Sequence, residues 1–542
     1  MNAGHEKKNI CKWIIGVGLI ALLFFVIDII AINKTLLTPY EELHPTALPV
    51  KDADTGIYYI KDKKTGETYS LDENRTLVYY DIENKTIKPL GEKSARIKLT
   101  RRGIMYLHPP VSPLYSFYIP CFSFRLLLPA IIVTAFLFLL SRFIESDQKM
   151  GVKLLLLCLF TVIIRASFAW LRHDFGQMGT ELLRYDGESV LFDVPLITDV
   201  FEFLKTYPER MIKLSMNGSH YPPGFALLLK TVAAIKGVSA MEAIKANINI
   251  FGWAILIIGS FSIFPLYLLI REFFDSNTAI IGVIIFIFMP NTIIYGGVTL
   301  DSIFVMLALW PLYFLMRAEK KLLINSILAG LFLGVTVFFS FSGIPLGLLM
   351  TLCILAKMLQ SKENFLNYLK ISCFAAIGFF SFLLFLYLIF GFNLLECFLT
   401  AQKLEKQFMA SVAAGYHGKT FNDLYFYVIW GNYLAFCIYT GFHNIALFLR
   451  NVKNIAVSKI ETWDNYSIFS IAVFIFIVII GFVYHMETER IWQFVSAFVA
   501  VIIAGELQKI SSVSLKKNIL LLMLTISALS TLVLETVFFT LF

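Results

Sequence analysis

Long apolar runs separated by short polar connections dominate this sequence. They occupy residues 13–32, 126–140, 154–171, 248–270, 279–294, 302–316, 322–339, 344–356, 371–390, 424–449, 468–484, 491–505 and 519–541. A helix needs roughly 20 predominantly apolar residues to cross the hydrocarbon core of a bilayer. The pattern therefore predicts an all-α polytopic membrane protein of about 13 transmembrane helices. The stretch 222–235 (PPGFALLLKTVAAI) is apolar but short, and it carries Lys230. It is expected to be an amphipathic helix lying on the membrane surface.

Charge then orients the runs, because Lys and Arg are retained on the cytoplasmic side. Basic residues mark every second connection: Lys7, Lys8 and Lys12; Arg142, Lys149 and Lys153; Arg271; Arg317, Lys320 and Lys321; Lys357, Lys362 and Lys370; Arg450, Lys453 and Lys459; Lys509, Lys516 and Lys517. This alternation places the amino terminus in the cytoplasm and the carboxyl terminus outside, in a multi-pass cell-membrane protein. Counting 222–235 as a span would invert every later loop. The first run is preceded by basic residues, as in a signal peptide. Its long core and lack of a small-x-small cleavage site predict a retained helix.

Three outward segments are substantial: 33–124, 172–247 and 392–423. In the first, GIYYI, ETYSL, TLVYY and ARIKL alternate with turn-rich stretches, which predicts a small β-rich extracytoplasmic insert. The composition fits this organisation. Of 542 residues, 58% are hydrophobic and 15% charged, which excludes a single-span receptor or a two-span channel subunit. The net charge of +8 follows from orientation in the bilayer and implies no nucleic-acid partner. The seven cysteines form no C-x-x-C pair and read as packing residues. Cys121 and Cys397 are the pair that the outward segments offer for a bridge.

Candidate chemistry is concentrated on the outward side. Ionisable residues within or at the ends of the spans are few, Asp28, Arg165 and Asp301 among them, and no polar track for an ion-coupled carrier is evident. After the third run comes RHDFGQMGTELLRYDGESVLFDVP, with Asp174, Glu181, Asp186, Glu188 and Asp193. One of these carboxylates, at a bilayer surface, could serve as a general base toward a lipid-borne substrate; the plainer reading is a solvated acidic loop. In NGSHYPPG, His220 and Tyr221 precede two prolines that restrict φ and start a helix, and Gly224 permits close approach. The short connection YHMETERIW holds Glu487, Glu489 and Arg490. An arginine there can engage a phosphate; an interfacial anchor with an internal ion pair is the alternative. Trp492 suits the head-group layer. Asp301, in GGVTLDSIF, is either a helix cap or part of a site.

The order and shared sidedness of these elements resemble the GT-C superfamily of integral-membrane glycosyltransferases, which includes protein O-mannosyltransferases and the aminoarabinose transferases of lipid A. The matching features are the 154–171 span, the Asp174 to Asp193 stretch, His220 to Gly224, Asp301, and Glu487 to Arg490. More narrowly, DVPLITDVFEFLKTYPERM with SHYPPG and ETERIW resembles uncharacterised bacterial members of that superfamily. The resemblance covers roughly residues 150–510. There is no Asp-Glu pair just after the first core span, and an amino-terminal hairpin with its β-rich insert is additional to the superfamily core.

The resemblance implies three parts: an amino-terminal hairpin with insert (1–150), a GT-C-like core (151–510) whose acidic loop and juxtamembrane helix fill 172–247, and a last helix (511–542). It implies transfer of a hexose-type sugar from a polyprenyl-phosphate carrier to a lipid, glycan or protein acceptor at the extracytoplasmic face. Asp174, Asp186, Glu188 and Asp193 are then the candidate bases. His220, Tyr221, Asp301, Glu487, Glu489 and Arg490 are candidates for binding substrate. Some relatives use a divalent metal, Mg or Mn; no ligand spacing here demands one. The competing readings are a flippase or transporter of lipid-linked saccharides and a non-catalytic lipid- or cell-wall-binding protein.

Overall fold

The fold is taken from a computed structural model. The described residues are 10, 12–20, 23, 50–52, 54–55, 58–61, 67–71, 77–89, 97–100, 103–106, 116–118, 121–172, 174–183, 189–297, 299–414, 421–483 and 488–540. They form two compact units, one spanning Phe25–Tyr118 and the other comprising Met1–Phe24 with Ile119–Phe542.

The smaller unit is a β-meander. Strands Val50–Lys51, Tyr58–Lys61, Thr68–Leu71, Leu77–Asp81 and Thr86–Pro89 pair antiparallel in chain order. The register sets Tyr69 opposite Tyr79, and their rings lie 5.1 Å apart, the kind of cross-strand aromatic pair that holds a small sheet together. The turn after Leu77–Asp81 closes because the Asp81 carboxylate accepts from Asn84 N and Nδ2, while Lys85 takes a positive φ of 54°. A separate hairpin joins Ile97–Thr100 to Gly103–Tyr106. Strands Tyr58–Lys61, Thr68–Leu71, Leu77–Asp81 and Ile97–Thr100 fall on the four alternating segments that the sequence marks, whereas Val50–Lys51, Thr86–Pro89 and Gly103–Tyr106 lie outside them.

The larger unit is helical. Among the described residues, seven helices are long and apolar enough to cross a membrane: Phe124–Glu145, Met150–Ala169, Ile248–Arg271, Leu322–Phe339, Gly343–Gln360, Phe365–Phe390 and Val513–Val537. Four shorter apolar helices accompany them: Ser276–Phe288, Asp301–Met316, Asn465–Ile480 and Gln493–Gln508. Gln493–Gln508 is buried on every side, from Gln493 to Leu507, which explains a sequence with hardly any polar face. Leu322–Phe339 and Phe365–Phe390 approach very closely. A Cβ on Gly330 would meet Ala375 O, and one on Gly378 would meet Ile327 O, so small residues let the two backbones touch. The 424–449 run is two helices, Phe421–Thr440 and Phe442–Ala456, broken at Gly441 with φ 94°. The first run lies mostly outside the described residues.

Ion pairs sort the helix ends into two rims. At one rim, Glu272 receives Lys320 at 2.6 Å, Glu319 receives Lys357 at 2.8 Å, and Glu506 receives Arg450 at 3.4 Å and Lys509 at 2.5 Å. Asn465 and Tyr368 also donate to Glu319. Their basic members are among those that mark the cytoplasmic connections in the sequence. Because successive helices alternate in direction, residues 121–125, 170–172, 174–183, 189–247, 299–301, 339–343, 391–405, 481–483, 488–492 and 535–538 belong to the opposite rim. Contacts bear this out: Phe225 packs on Phe339 at 5.4 Å, Phe338 on Phe392 at 5.7 Å, and Arg172 reaches Glu535.

Candidate active site

The 172–247 segment is a series of short helices ending in Gly224–Lys236. That last helix buries Phe225, Ala226, Leu229 and Ala233 and leaves Ile235 84% exposed, so it has the one-sided character expected of a surface helix. Pro223 precedes it at the N-cap and Gly237 ends it with φ 74°. Gly224 sits so close to Phe338 O that a Cβ would come within 2.6 Å, so the diproline turn presses directly on the Leu322–Phe339 helix.

The turn carrying His220 rests on a buried polar frame. Asp193, 1% exposed, accepts from Ser215 N and Ser215 Oγ, both at 2.7 Å. Ser215 Oγ in turn caps the Met216–His220 helix by accepting from Gly218 N. Burial pushes the Asp193 carboxyl above its ordinary value against the opposing pull of the Ser215 hydrogen bonds. Tyr207 OH donates to Gly218 O at 3.0 Å and Tyr221 O at 2.9 Å, and burial keeps its phenol protonated for that purpose. His220 Nδ1 lies 2.6 Å from Met216 O, and its Nε2 lies 3.3 Å from Glu405 on the Leu394–Ala414 helix.

Asp301 is the first residue of the Asp301–Met316 helix, one place after the N-cap Leu300, and so is not the cap itself. Its carboxylate faces Arg490 instead, with Nε 3.5 Å from Oδ2. Arg490 is carried by the single turn Thr488–Ile491, anchored where Thr488 Oγ1 donates to Asn432 O. Trp492 is fully buried against Tyr433 and Phe436, so the sequence expectation of a head-group tryptophan is replaced by a core one. This side chain is what fixes the turn bearing Arg490.

Asp174 stands just beyond Met150–Ala169 and is exposed; its Oδ1 accepts from Arg125 at 2.7 Å. Neighbouring Arg172 donates to Glu535 O and Phe538 O and pairs with the Glu535 carboxylate, which binds the end of the first core helix to the last one. Asp186, Glu188 and Glu487 lie outside the described residues, as does the side chain of Glu489.

Below this rim lies a layer of buried polar groups. Asn291 Nδ2 donates to Ser496 Oγ at 2.7 Å, Ser496 meets Thr440 at 2.9 Å, and Gln493 Nε2 donates to Asn291 O. Arg165, 1% exposed, donates from Nε to Thr292 O and from NH1 to Ser260 Oγ. The layer stops short of the other rim on Gln493–Gln508, where every residue between Ser496 and Glu506 is apolar.

The structure therefore joins Asp301 to Arg490, places Asp193 beneath His220 and Tyr221, and pairs Asp174 with Arg125, all at one rim. Arg125, Tyr207, Ser215 and Glu405 were not picked out by the sequence reading; only tertiary contact reveals them. Among the described residues no three His, Cys, Asp or Glu side chains gather as a metal site. Cys121 and Cys397 are free; Cys397 packs against Met211 Sδ at 3.7 Å.

Residues 220–387, beginning at the histidine of the diproline turn, match the family described as dolichyl-phosphate-mannose-protein mannosyltransferase. Solved structures with similarity include the Archaeoglobus fulgidus oligosaccharyltransferase in complex with Zn and sulfate, at 17% identity and a TM-score of 0.45, covering 70% of this chain and 52% of that one. Another is the same organism's oligosaccharyltransferase AglB with an inhibitory peptide and a dolichol-phosphate, at 13% identity and a TM-score of 0.41, covering 71% and 55%. This chain spans about half the length of those proteins. A search of curated protein sequences gives no match.

Proposed function

We propose that this membrane glycosyltransferase moves a hexose-type sugar from a polyprenyl-phosphate carrier to a lipid, glycan or protein acceptor at the extracytoplasmic face. The observation that carries the reading is the Asp301–Arg490 pair at the rim that also bears His220, where the mannosyltransferase family segment begins. A guanidinium at that position offers planar, charge-assisted donors to a phosphate. The opposite rim is the one whose lysines and arginines mark the cytoplasm, which supports an outward site.

In this reading the acceptor hydroxyl oxygen bonds to the anomeric carbon while the bond from that carbon to the phosphate oxygen breaks. The bonding pair leaves on the lipid phosphate, where Arg490 stabilises the gathering negative charge. The hydroxyl proton passes to a carboxylate. Of the described candidates, Asp174 has the exposed carboxylate, whereas both oxygens of Asp193 are occupied by Ser215. Asp186 and Glu188 remain candidate bases on sequence grounds, and Glu487 and Glu489 remain candidates for binding substrate. His220 and Tyr221, held by the Asp193–Ser215–Tyr207 frame, position the sugar or phosphate. No step requires a metal.

The test is transfer of label from a polyprenyl-phosphate sugar by purified protein reconstituted in bilayers. Arg490→Ala is expected to lower turnover by about 100-fold. Wild-type turnover in a correctly inserted Arg490→Ala protein removes this arginine from the mechanism. The one feature favouring a carrier is the buried polar layer, and its halt at Ser496 on the Gln493–Gln508 helix weighs against a polar path across the bundle.

A further inference from the structure

Resting on that reading, we propose that Arg125, supplied by the amino-terminal hairpin outside the GT-C-like core, is a positioning residue that orients Asp174 as the general base. Arg125 makes three contacts with the end of the first core helix. Its NH2 donates to Asp174 Oδ1 at 2.7 Å, its NH1 donates to Trp170 O at 3.2 Å, and its guanidinium carbon lies 5.2 Å from the Trp170 ring centre. The other partner of Trp170 is Phe175, stacked at 5.6 Å with planes 4° apart, and Phe124 meets the indole edge-on at 6.3 Å. Arg125 and Asp174 are thus held across an aromatic block that fixes the turn between helix and acidic loop.

The segment that delivers Arg125 is itself tied down. Ser123 Oγ accepts from Arg125 N, and Cys121 N donates to Thr536 O at 2.7 Å at the end of the last helix. Arg172 fastens the same two helix ends to each other through Glu535. Three chain segments distant in sequence are therefore joined around the helix end that carries Asp174, and Arg125 is the one that reaches its carboxylate.

The geometry is what a base requires. Arg125 occupies Oδ1, and among the described residues no hydrogen bond reaches Oδ2. One oxygen is held in a charge-assisted hydrogen bond, and the other is left to accept the proton of an acceptor hydroxyl. An ordinary surface ion pair contributes little to stability, so the pair's effect is expected in turnover rather than in melting. This also gives the additional hairpin a catalytic consequence: it completes the site.

The experiment is a double-mutant cycle on sugar transfer by the full chain in bilayers, with a labelled polyprenyl-phosphate sugar as donor. Arg125→Ala should lower kcat by about tenfold with KM changed much less, and Arg125→Lys should recover part of the loss. Combined with Asp174→Asn, Arg125→Ala should slow the reaction no further. If Arg125→Ala fails to insert, Arg125→Gln carries the same test, because it keeps a donor for Trp170 O without the charge. Unchanged kcat, losses that multiply in the double variant, or a fully active Asp174→Asn protein would each overturn the proposal while leaving the glycosyltransferase reading intact. An inactive wild type removes that reading and this proposal together.

Discussion

Arg490 Nε lies 3.5 Å from Asp301 Oδ2, each side chain about four-fifths buried, on two short connections at the same rim of the bundle. Such a pair holds a guanidinium in place and partly neutralises it until a competing anion arrives. Removing each partner should therefore act in opposite directions on phosphate affinity. Arg490→Ala should weaken binding of a polyprenyl phosphate by about tenfold or more, and Asp301→Asn should tighten it by roughly threefold while slowing transfer. Titration of the lipid phosphate into the two variants in bilayers decides the matter. Equal weakening by both would show that Asp301 contacts the ligand rather than serving as the counter-charge.

Asp193 offers a contrast between anchor and base. In an Asp193→Asn variant the new carboxamide can still accept from Ser215 N and can donate to Ser215 Oγ, so the frame beneath His220 should survive. Asp193→Ala leaves Ser215 N without its acceptor and should cost about 1–3 kcal/mol. The pH dependence has a definite sign. Burial raises the folded carboxyl above the ordinary 3.8, so its stabilising contribution is complete below that value and is lost as pH rises through the raised value. Melting of wild type relative to Asp193→Asn should thus decline with rising pH through the acid range. Loss of transfer in a folded Asp193→Asn protein would instead make Asp193 the base.

Much of this architecture is readable from the chain because the bilayer imposes simple rules. Apolar runs and basic connections gave the helices and their alternation, and period-two patterning marked the strands around Tyr59, Tyr69 and Tyr79. The diproline start of Gly224–Lys236 was likewise visible, since proline fixes φ wherever it stands. What escaped was pairing. Nothing near Asp301 in sequence announces Arg490, and a first-turn Asp reads most simply as a cap. Trp492 followed an arginine in a short connection and so looked interfacial, yet packing against Phe436 buries it. Breaks such as Gly441 within an unbroken apolar run also leave no hydropathy signal.

Gly218 tests the frame by steric means. A Cβ there would stand 2.0 Å from Asp193 Oδ2 and 2.9 Å from Ser215 Oγ. Gly218→Ala must displace Asp193 or the His220 turn, at an expected cost of about 1–3 kcal/mol. Transfer should fall more than the melting point alone explains, because His220 and Tyr221 move with the turn. Pairing Gly218→Ala with Asp193→Ala relieves the clash, so the two losses should combine to less than their sum in a thermal-melting cycle. Strict additivity would mean that the two residues do not share one constraint.

Arg165 separates stability from chemistry. Its buried guanidinium donates to Thr292 O at 3.0 Å and to Ser260 Oγ at 3.3 Å. Thr292 lies within the Pro290–Ile294 helix and Ser260 is the last residue of Ile248–Ser260. The arginine thus ties two helices together, and Gly296 is required beside it because a Cβ would come within 2.4 Å of Nε. Arg165→Ala removes both hydrogen bonds and leaves a cavity, an expected loss of about 3 kcal/mol. Arg165→Lys, with a single ammonium in place of the fork, should regain only part of it. Measured per folded molecule, turnover in both variants should stay within about threefold of wild type. A variant that melts like wild type but no longer transfers sugar would place this guanidinium in the reaction.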